Sequence, residues 1–446
     1  MAFSQRWREV REGFQPAFWV ANVTELFERL SYYGVFAVLA IYLTESLKFS
    51  DAQAGDLIGF FSGIVWFLPI LGGTLADRFG FRRSLAVAYL LLAVGYFLLG
   101  SLSAPWMAPL RNMMPLYSLV LVVMFIPAMG PAVVKPCVVG TTARASSENV
   151  RSLGYSIYYT LVNIGGTVGP IVAYSVRRSI GIENVFLVCA ASVFLMVFGV
   201  LLFYKEPHSD KASQVASIGQ SFKNLWLVLT NFKFMAFLVI FSGFWIMFWQ
   251  EFIALPLFLR KYVNPNADVD LLTTVDPLAV ILLQILISYL IRNWKPFTAM
   301  TAGMFITSLA FVILALADMS WQINTTFTIG SLQIPVQGIP VFAAVALFVV
   351  ALGEMVQSPR FYEYVSRLAP PGQQGVFMGF SFLPIAIGSA IAGVIGGRVV
   401  TYYGDVVGKP QQLWWVFAII GFAATGLLFL YDRVVKPSEA ASPSNG

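Results

Sequence analysis

Charge is what this sequence has least of. Only 11% of its 446 residues are Asp, Glu, Lys or Arg, against 58% hydrophobic, and the mean hydropathy is +0.76. A soluble domain of this size would need many more charged residues to cover its surface, so a soluble globule is excluded. Histidine is almost missing: the single His208 stands in a polar stretch, which rules out a buried histidine as a proton switch. The two cysteines, Cys137 and Cys189, both lie in apolar runs and imply no extracellular disulfide framework. The sequence has no metal-ligand cluster, no nucleophile elbow and no phosphate loop, so no enzyme, metal or cofactor is expected. Residues 1–16 are polar and do not read as a cleavable signal peptide.

What is present is a succession of apolar runs, each long enough for a hydrocarbon core of roughly 30 Å. In the first half, spans are expected at about 17–45, 52–77, 83–103, 114–142, 152–178 and 183–204. In the second they fall at about 231–261, 270–291, 296–317, 337–366, 375–400 and 411–433. The domain plan is therefore a six-helix bundle over 1–204, a cytoplasmic linker over 205–230, a second bundle over 231–433 and a disordered tail over 434–446. The loop 318–336 is polar and reads as a small extracellular hairpin.

The net charge of +6 could suggest nucleic acid, but the basic residues lie mainly in alternate loops rather than in one patch. With the N-terminus inside, roughly 17 Lys and Arg fall on cytoplasmic segments against roughly 8 outside. The expectation is a multi-pass protein of the cell inner membrane, both termini cytoplasmic, a monomer in the lipid bilayer with no nucleic-acid partner.

Charges inside the spans are the informative residues. Each costs about 2.5–3.5 kcal/mol at mid-membrane, so each is a functional candidate. The first span holds Glu25, Glu28 and Arg29 at helical spacings that share one face, continued by Tyr32, Tyr33 and Phe36. Lys135 lies in the fourth span and Glu354 in the tenth; Asp276, at the start of the eighth, is a further candidate. By helix rise, Glu25 and Lys135 sit roughly 12 and 10 Å from the cytoplasmic ends of their spans, close enough in depth to pair. Five uncompensated charges would cost on the order of 12–17 kcal/mol, so they must face one another, water or a ligand. Carboxylates outnumber cations, so at least one takes up a proton unless a cationic substrate neutralises it. A static polar cluster pinning helices together is the competing account, but Ser or Asn would do that at lower cost.

The segment Glu25-Leu-Phe-Glu28-Arg29-Leu-Ser-Tyr32-Tyr33-Gly34 resembles the ExxER signature of the proton-dependent oligopeptide transporter family of the major facilitator superfamily. Four further segments match in order: Gly72 to Arg83, the fourth-span VVKPCVVG, the fifth-span SIYYTLVNIGGTVGP, and GEMVQSP followed by LAPPGQQGVFMGF. The resemblance implies an all-α membrane protein of the major facilitator fold, with twelve transmembrane helices in two six-helix bundles that rock about a central site. It implies a symporter that imports di- or tripeptides, or a peptide-like zwitterion, together with protons. Glu25, Glu28, Arg29 and Lys135 would couple protons. Arg29 and Lys135 would anchor the substrate carboxylate, Asn163 and Glu354 its amino group, and Tyr32 and Tyr33 would line the pocket. Asp77 and Arg78 would gate the cytoplasmic side.

Departures from the family pattern bear on substrate. Phe36 stands where an arginine is usual, Trp249 where an acid is usual, and Asp276 where an asparagine precedes a proline. Trp66 replaces a tyrosine, and Glu251 follows Trp249 about 200° around the helix. Trp66, Trp249 and Asp276 are accordingly included among the substrate-binding residues. The aromatic changes motivate a second hypothesis, proton-linked efflux of amphipathic small molecules. A scaffold or sensor without transport is a third, and the retained charges argue against it.

Overall fold

The computed structural model describes residues 13–70, 79–207, 226, 228–317, 325–329, 332–336, 338–368 and 374–435. The expected gating residues Asp77 and Arg78, and most of the linker and tail, lie outside these residues. Twelve principal helices follow one another: α1 (Pro16–Ile41), α2 (Asp51–Phe67), α3 (Phe81–Ser101), α4 (Leu116–Arg144), α5 (Arg151–Ile180) and α6 (Glu183–Phe203), then α7 (Phe232–Phe248), α8 (Val275–Leu290), α9 (Pro296–Leu316), α10 (Gly338–Leu368), α11 (Leu383–Thr401) and α12 (Leu413–Val435). Ten stretches among the described residues are long and apolar enough to cross a membrane, and α2 and α5 occupy the two other expected spans. In the 318–336 loop, β1 (Thr325–Ile329) and β2 (Leu332–Val336) pair antiparallel, the hairpin its polarity suggests.

Burial is inverted relative to a soluble protein. Ile285 is 85% exposed, and Val87, Leu90, Val94 and Phe97 form an exposed stripe at helical spacing on α3. Glu28, by contrast, is fully buried. Apolar side chains outside and charges inside suit hydrocarbon as the solvent.

The chain divides into two compact units. The first contains Met1–Tyr42 and Phe60–Phe222; the second contains Leu43–Gly59 and Lys223–Gly446. Inside the first, α1 packs on α5 and α6, and α3 on α4 and α6. Inside the second, α7 packs on α11 and α12, and α9 on α10 and α12. The two patterns are the same with the helix number advanced by six, as expected of a repeated half.

Small residues set the closest crossings. A side chain at Gly165 of α5 would lie 2.7 Å from Arg29 Cβ and 2.9 Å from the Leu26 carbonyl. In the second unit, Gly388 of α11 faces Trp245 and the Ser242 carbonyl of α7, the corresponding pair of helices. Without neighbouring helices that differ from lipid in polarity, such close backbone packing supplies much of the association.

The segment Leu43–Gly59 carries three acids whose partners lie far along the chain. Arg260 bonds Glu45 at 2.7 and 2.8 Å, Lys261 bonds both Asp51 and Asp405 at 2.8 Å, and Arg398 grips Asp56 through both terminal nitrogens. Tyr262 donates to Asp405 at 2.8 Å. All these residues belong to the second unit.

Candidate substrate and proton site

The face of α1 predicted from spacing forms as expected. Helix α1 begins at Pro16, whose missing N–H is harmless at a helix start, and runs without a break through the charged run. Arg29 lies between the two acids: its Nε is 3.3 Å from Glu25 Oε1 and also bonds Glu28 Oε2. Its guanidinium carbon sits 4.7 Å over the Tyr32 ring. Glu25, Glu28, Arg29 and Tyr32 are all 2% exposed or less, so these interactions act without solvent screening.

The fourth helix brings the second cation. Pro131 and Pro136 flank Lys135 in α4, each deleting an intrahelical hydrogen bond and loosening the backbone there. Lys135 feels the charges of Arg29, Glu25 and Glu28. Its ammonium lies 3.8 Å over the ring of Trp66, close enough for a strong cation–π contact. The first unit thus collects Glu25, Glu28, Arg29, Tyr32, Trp66 and Lys135 into one cluster, two acids facing two cations. Tyr33 packs edge-on against Tyr32, and Phe36 stacks between Tyr32 and Phe61. An aromatic wall occupies the position where the family pattern has an arginine.

The cluster is not closed upon itself. Among the described residues, Arg29 Nη2, Glu28 Oε1 and both Glu25 oxygens are buried without a hydrogen-bond partner. A buried guanidinium with a spare donor is suited to a carboxylate, and buried carboxylate oxygens are suited to a proton.

Asn163 lies elsewhere on α5, half-buried, with its amide donating to the Tyr159 carbonyl at 2.9 Å. The remaining candidates are in the second unit. Trp249 is buried in the short turn after α7 and Asp276 at the start of α8, while Glu354, midway along α10, is half-buried. Glu251 closes that same turn at 4% exposure and faces the charges of Asp276 and Glu354.

Sequence reasoning missed Gly165 opposite Arg29, Gln357 on α10, and the ion pairs of Glu45, Asp51 and Asp56. A glycine-rich fifth span was the only signal for the first; nothing local marks the others.

Comparison with known proteins agrees with this architecture. The Major Facilitator Superfamily family model matches residues 23–337. The chain belongs to the Major Facilitator Superfamily. It is 22% identical over 411 residues to the multidrug resistance protein MdtH of Salmonella schwarzengrund, covering 91% of this chain and 92% of that protein. Among solved structures it is similar to a peptide transporter POT in complex with sulfate, with a TM-score of 0.73 at 18% identity over 94% of each chain. It is equally similar to a POT family transporter in complex with 5-aminolevulinic acid, with a TM-score of 0.73 at 18% identity over 95% of this chain and 96% of that one. These likenesses establish a multi-pass membrane protein with twelve helices in two six-helix bundles.

Proposed function

We propose that the chain is a proton-coupled symporter that imports di- or tripeptides, or a peptide-like zwitterion, by alternating access. The observation that carries the reading is the buried triad Glu25–Glu28–Arg29, with its unused guanidinium donor, in one cluster with Lys135. In this reading a substrate carboxylate takes the free side of Arg29 and the ammonium of Lys135. Once the anion engages the cations, the two glutamates lose their counter-charges and bind protons. Anion and proton entry are thereby linked. Asn163 and Glu354 would meet the substrate amino group, with Tyr32, Tyr33, Trp66, Trp249 and Asp276 shaping the site and Asp77 and Arg78 gating it. The solved structures similar in fold include one with 5-aminolevulinic acid, a small amino acid, which supports a zwitterionic cargo. We further propose a monomer in the inner membrane with cytoplasmic termini, bundles over 1–204 and 231–433, a linker over 205–230 and a tail over 434–446.

The test is uptake into proteoliposomes under an inward proton gradient, using a dipeptide panel. Accumulation that collapses with a protonophore supports the proposal; no uptake of any member rejects the peptide assignment. Efflux of amphipathic compounds is the second reading. It is favoured by Lys135 lying on Trp66, an arrangement that leaves an aromatic surface beside the charges, and by the likeness to a multidrug resistance protein. Export of a lipophilic dye from loaded vesicles on imposing the gradient would select it.

A further inference from the structure

We propose that Asn22 anchors a buried water beside Glu25, and that this water opens a proton route through the interior of the first unit. Asn22 lies three positions before Glu25 in α1, so the two side chains share one face, a turn apart. Both are buried, Asn22 at 0% and Glu25 at 1% exposure. The amide nitrogen of Asn22 donates to the Phe18 carbonyl at 2.8 Å and reaches Thr142 Oγ1 of α4 at 3.4 Å. Those bonds fix which end of the amide is nitrogen. Among the described residues the oxygen, Oδ1, is buried without a hydrogen-bond partner, as are both carboxyl oxygens of Glu25. A water between them would satisfy an acceptor that the helix contact leaves idle.

Hydroxyls continue from Thr142 toward the end of the bundle where α1 begins and α4 finishes. Thr141, Thr142 and Ser146 are all buried. Ser146 Oγ donates to the Thr142 carbonyl at 2.6 Å, and the next residues, Ser147 and Glu148, are exposed. Thr141 Oγ1 pairs at 2.6 Å with the hydroxyl of Tyr204, which directly precedes the exposed Lys205 and Glu206. Polar glue between helices would account for the Asn22–Thr142 and Thr141–Tyr204 bonds. It does not account for a buried amide oxygen with nothing to accept.

The groups around Glu25 limit where its proton can go. The charges it faces are those of Arg29, Glu28 and Lys135. From α3, Tyr89 is fully buried, faces Glu25 and stands near Thr24 without a hydrogen bond. Helices α5 and α6 meet this stretch of α1 at Gly165 and Gly199, and Cys189 of α6 lies farther along, beside Ser31 and Gly34. A guanidinium accepts no proton, and the Lys135 ammonium is engaged with Trp66. A water at Asn22 is therefore the neutral acceptor at hand. The step balances: Glu25 gives its carboxyl proton to the water as the water passes one of its own toward the Thr142 hydroxyl. One proton reaches solvent and the water is left as it began.

That the route serves coupled transport rests on the symport proposed above; that Glu25 exchanges its proton through it does not. The test follows Glu25 in the full-length protein in lipid nanodiscs, without substrate. The infrared carboxyl band that disappears in Glu25→Gln is timed after a pH jump. In Asn22→Leu, checked for folding by its melting temperature, the band should respond about tenfold more slowly, the effect of removing one hydrogen bond from the relayed water. Thr142→Val should slow it as well, and Thr142→Ser should restore it. In proteoliposomes Asn22→Leu and Thr142→Val should lose gradient-driven dipeptide uptake yet keep dipeptide counterflow, which needs no net proton release. Absence of any Glu25-dependent band, or an unchanged rate in folded Asn22→Leu or Thr142→Val, overturns the proposal. Loss of counterflow in step with uptake overturns it too, by making Asn22 a support of the Arg29 cluster alone. Failure of every dipeptide with the wild type would reject the cargo and leave the timed band to decide the route.

Discussion

Replacing Arg29 with lysine keeps the charge and removes the geometry. The guanidinium reaches Glu25, Glu28 and the Tyr32 ring at once, whereas an ammonium is a compact point charge that cannot span all three. Arg29→Lys should therefore fold but lose at least about tenfold in gradient-driven uptake, since a lost charge-assisted contact is worth roughly 1.5–3 kcal/mol. Arg29→Met should be worse in a different way. It strands two buried carboxylates, a change that costs about 3–5 kcal/mol, and thermal melting in detergent should show the loss directly. The four charges of the first unit were legible in the sequence because an ion inside an apolar run has no inexpensive explanation. Trp66 was legible only as a departure from a pattern; its place under Lys135 depends on how α2 and α4 meet, which no local spacing encodes.

Between α1 and α5 the same site depends on an element-scale fit. The absence of a side chain at Gly165 is what allows the α5 backbone to reach the Arg29 Cβ. Gly165→Ala should force the two helices apart, because the added Cβ would meet Arg29 Cβ at 2.7 Å and the Leu26 carbonyl at 2.9 Å, and should disturb the guanidinium geometry. Overpacking of this sort costs about 1–3 kcal/mol, so a lower melting temperature should accompany a loss of uptake larger than the stability change alone explains. A matching substitution at Gly388, in the corresponding crossing of α7 and α11, should lower stability while leaving the Arg29 cluster untouched. The helices themselves were readable from run length and composition, and the hairpin of β1 and β2 from its polar loop. Their partners were not. The division of α2 between the two units at Gly59 and Phe60, and the meeting of Trp414 with Glu251, arise from contacts distant in sequence.

For the molecule as a whole, the repeated packing of six helices and the acids of Leu43–Gly59 matter most. The pairs formed by Lys261 with Asp51 and Asp405 are partly exposed, and such pairs are worth about 0–1 kcal/mol each. Asp51→Asn should therefore change the melting temperature little, and that change should shrink further in high salt. Charge reversal at Lys261 should be more harmful, because it sets three acids together, and Asp51→Lys in the same chain should recover part of the loss. Nothing in the sequence near these acids distinguishes a charge that solvent satisfies from one held by a helix hundreds of residues on.

Asp56 and Arg398 are separated by 342 residues. At about 5–20 residues per second, the ribosome supplies the arginine on the order of tens of seconds after the aspartate. During synthesis Asp56 is therefore made well before the eleventh helix that carries its partner. A nascent chain stopped short of Arg398 would leave Asp56 without that partner, so completion of the polypeptide bears on the stability of the start of α2.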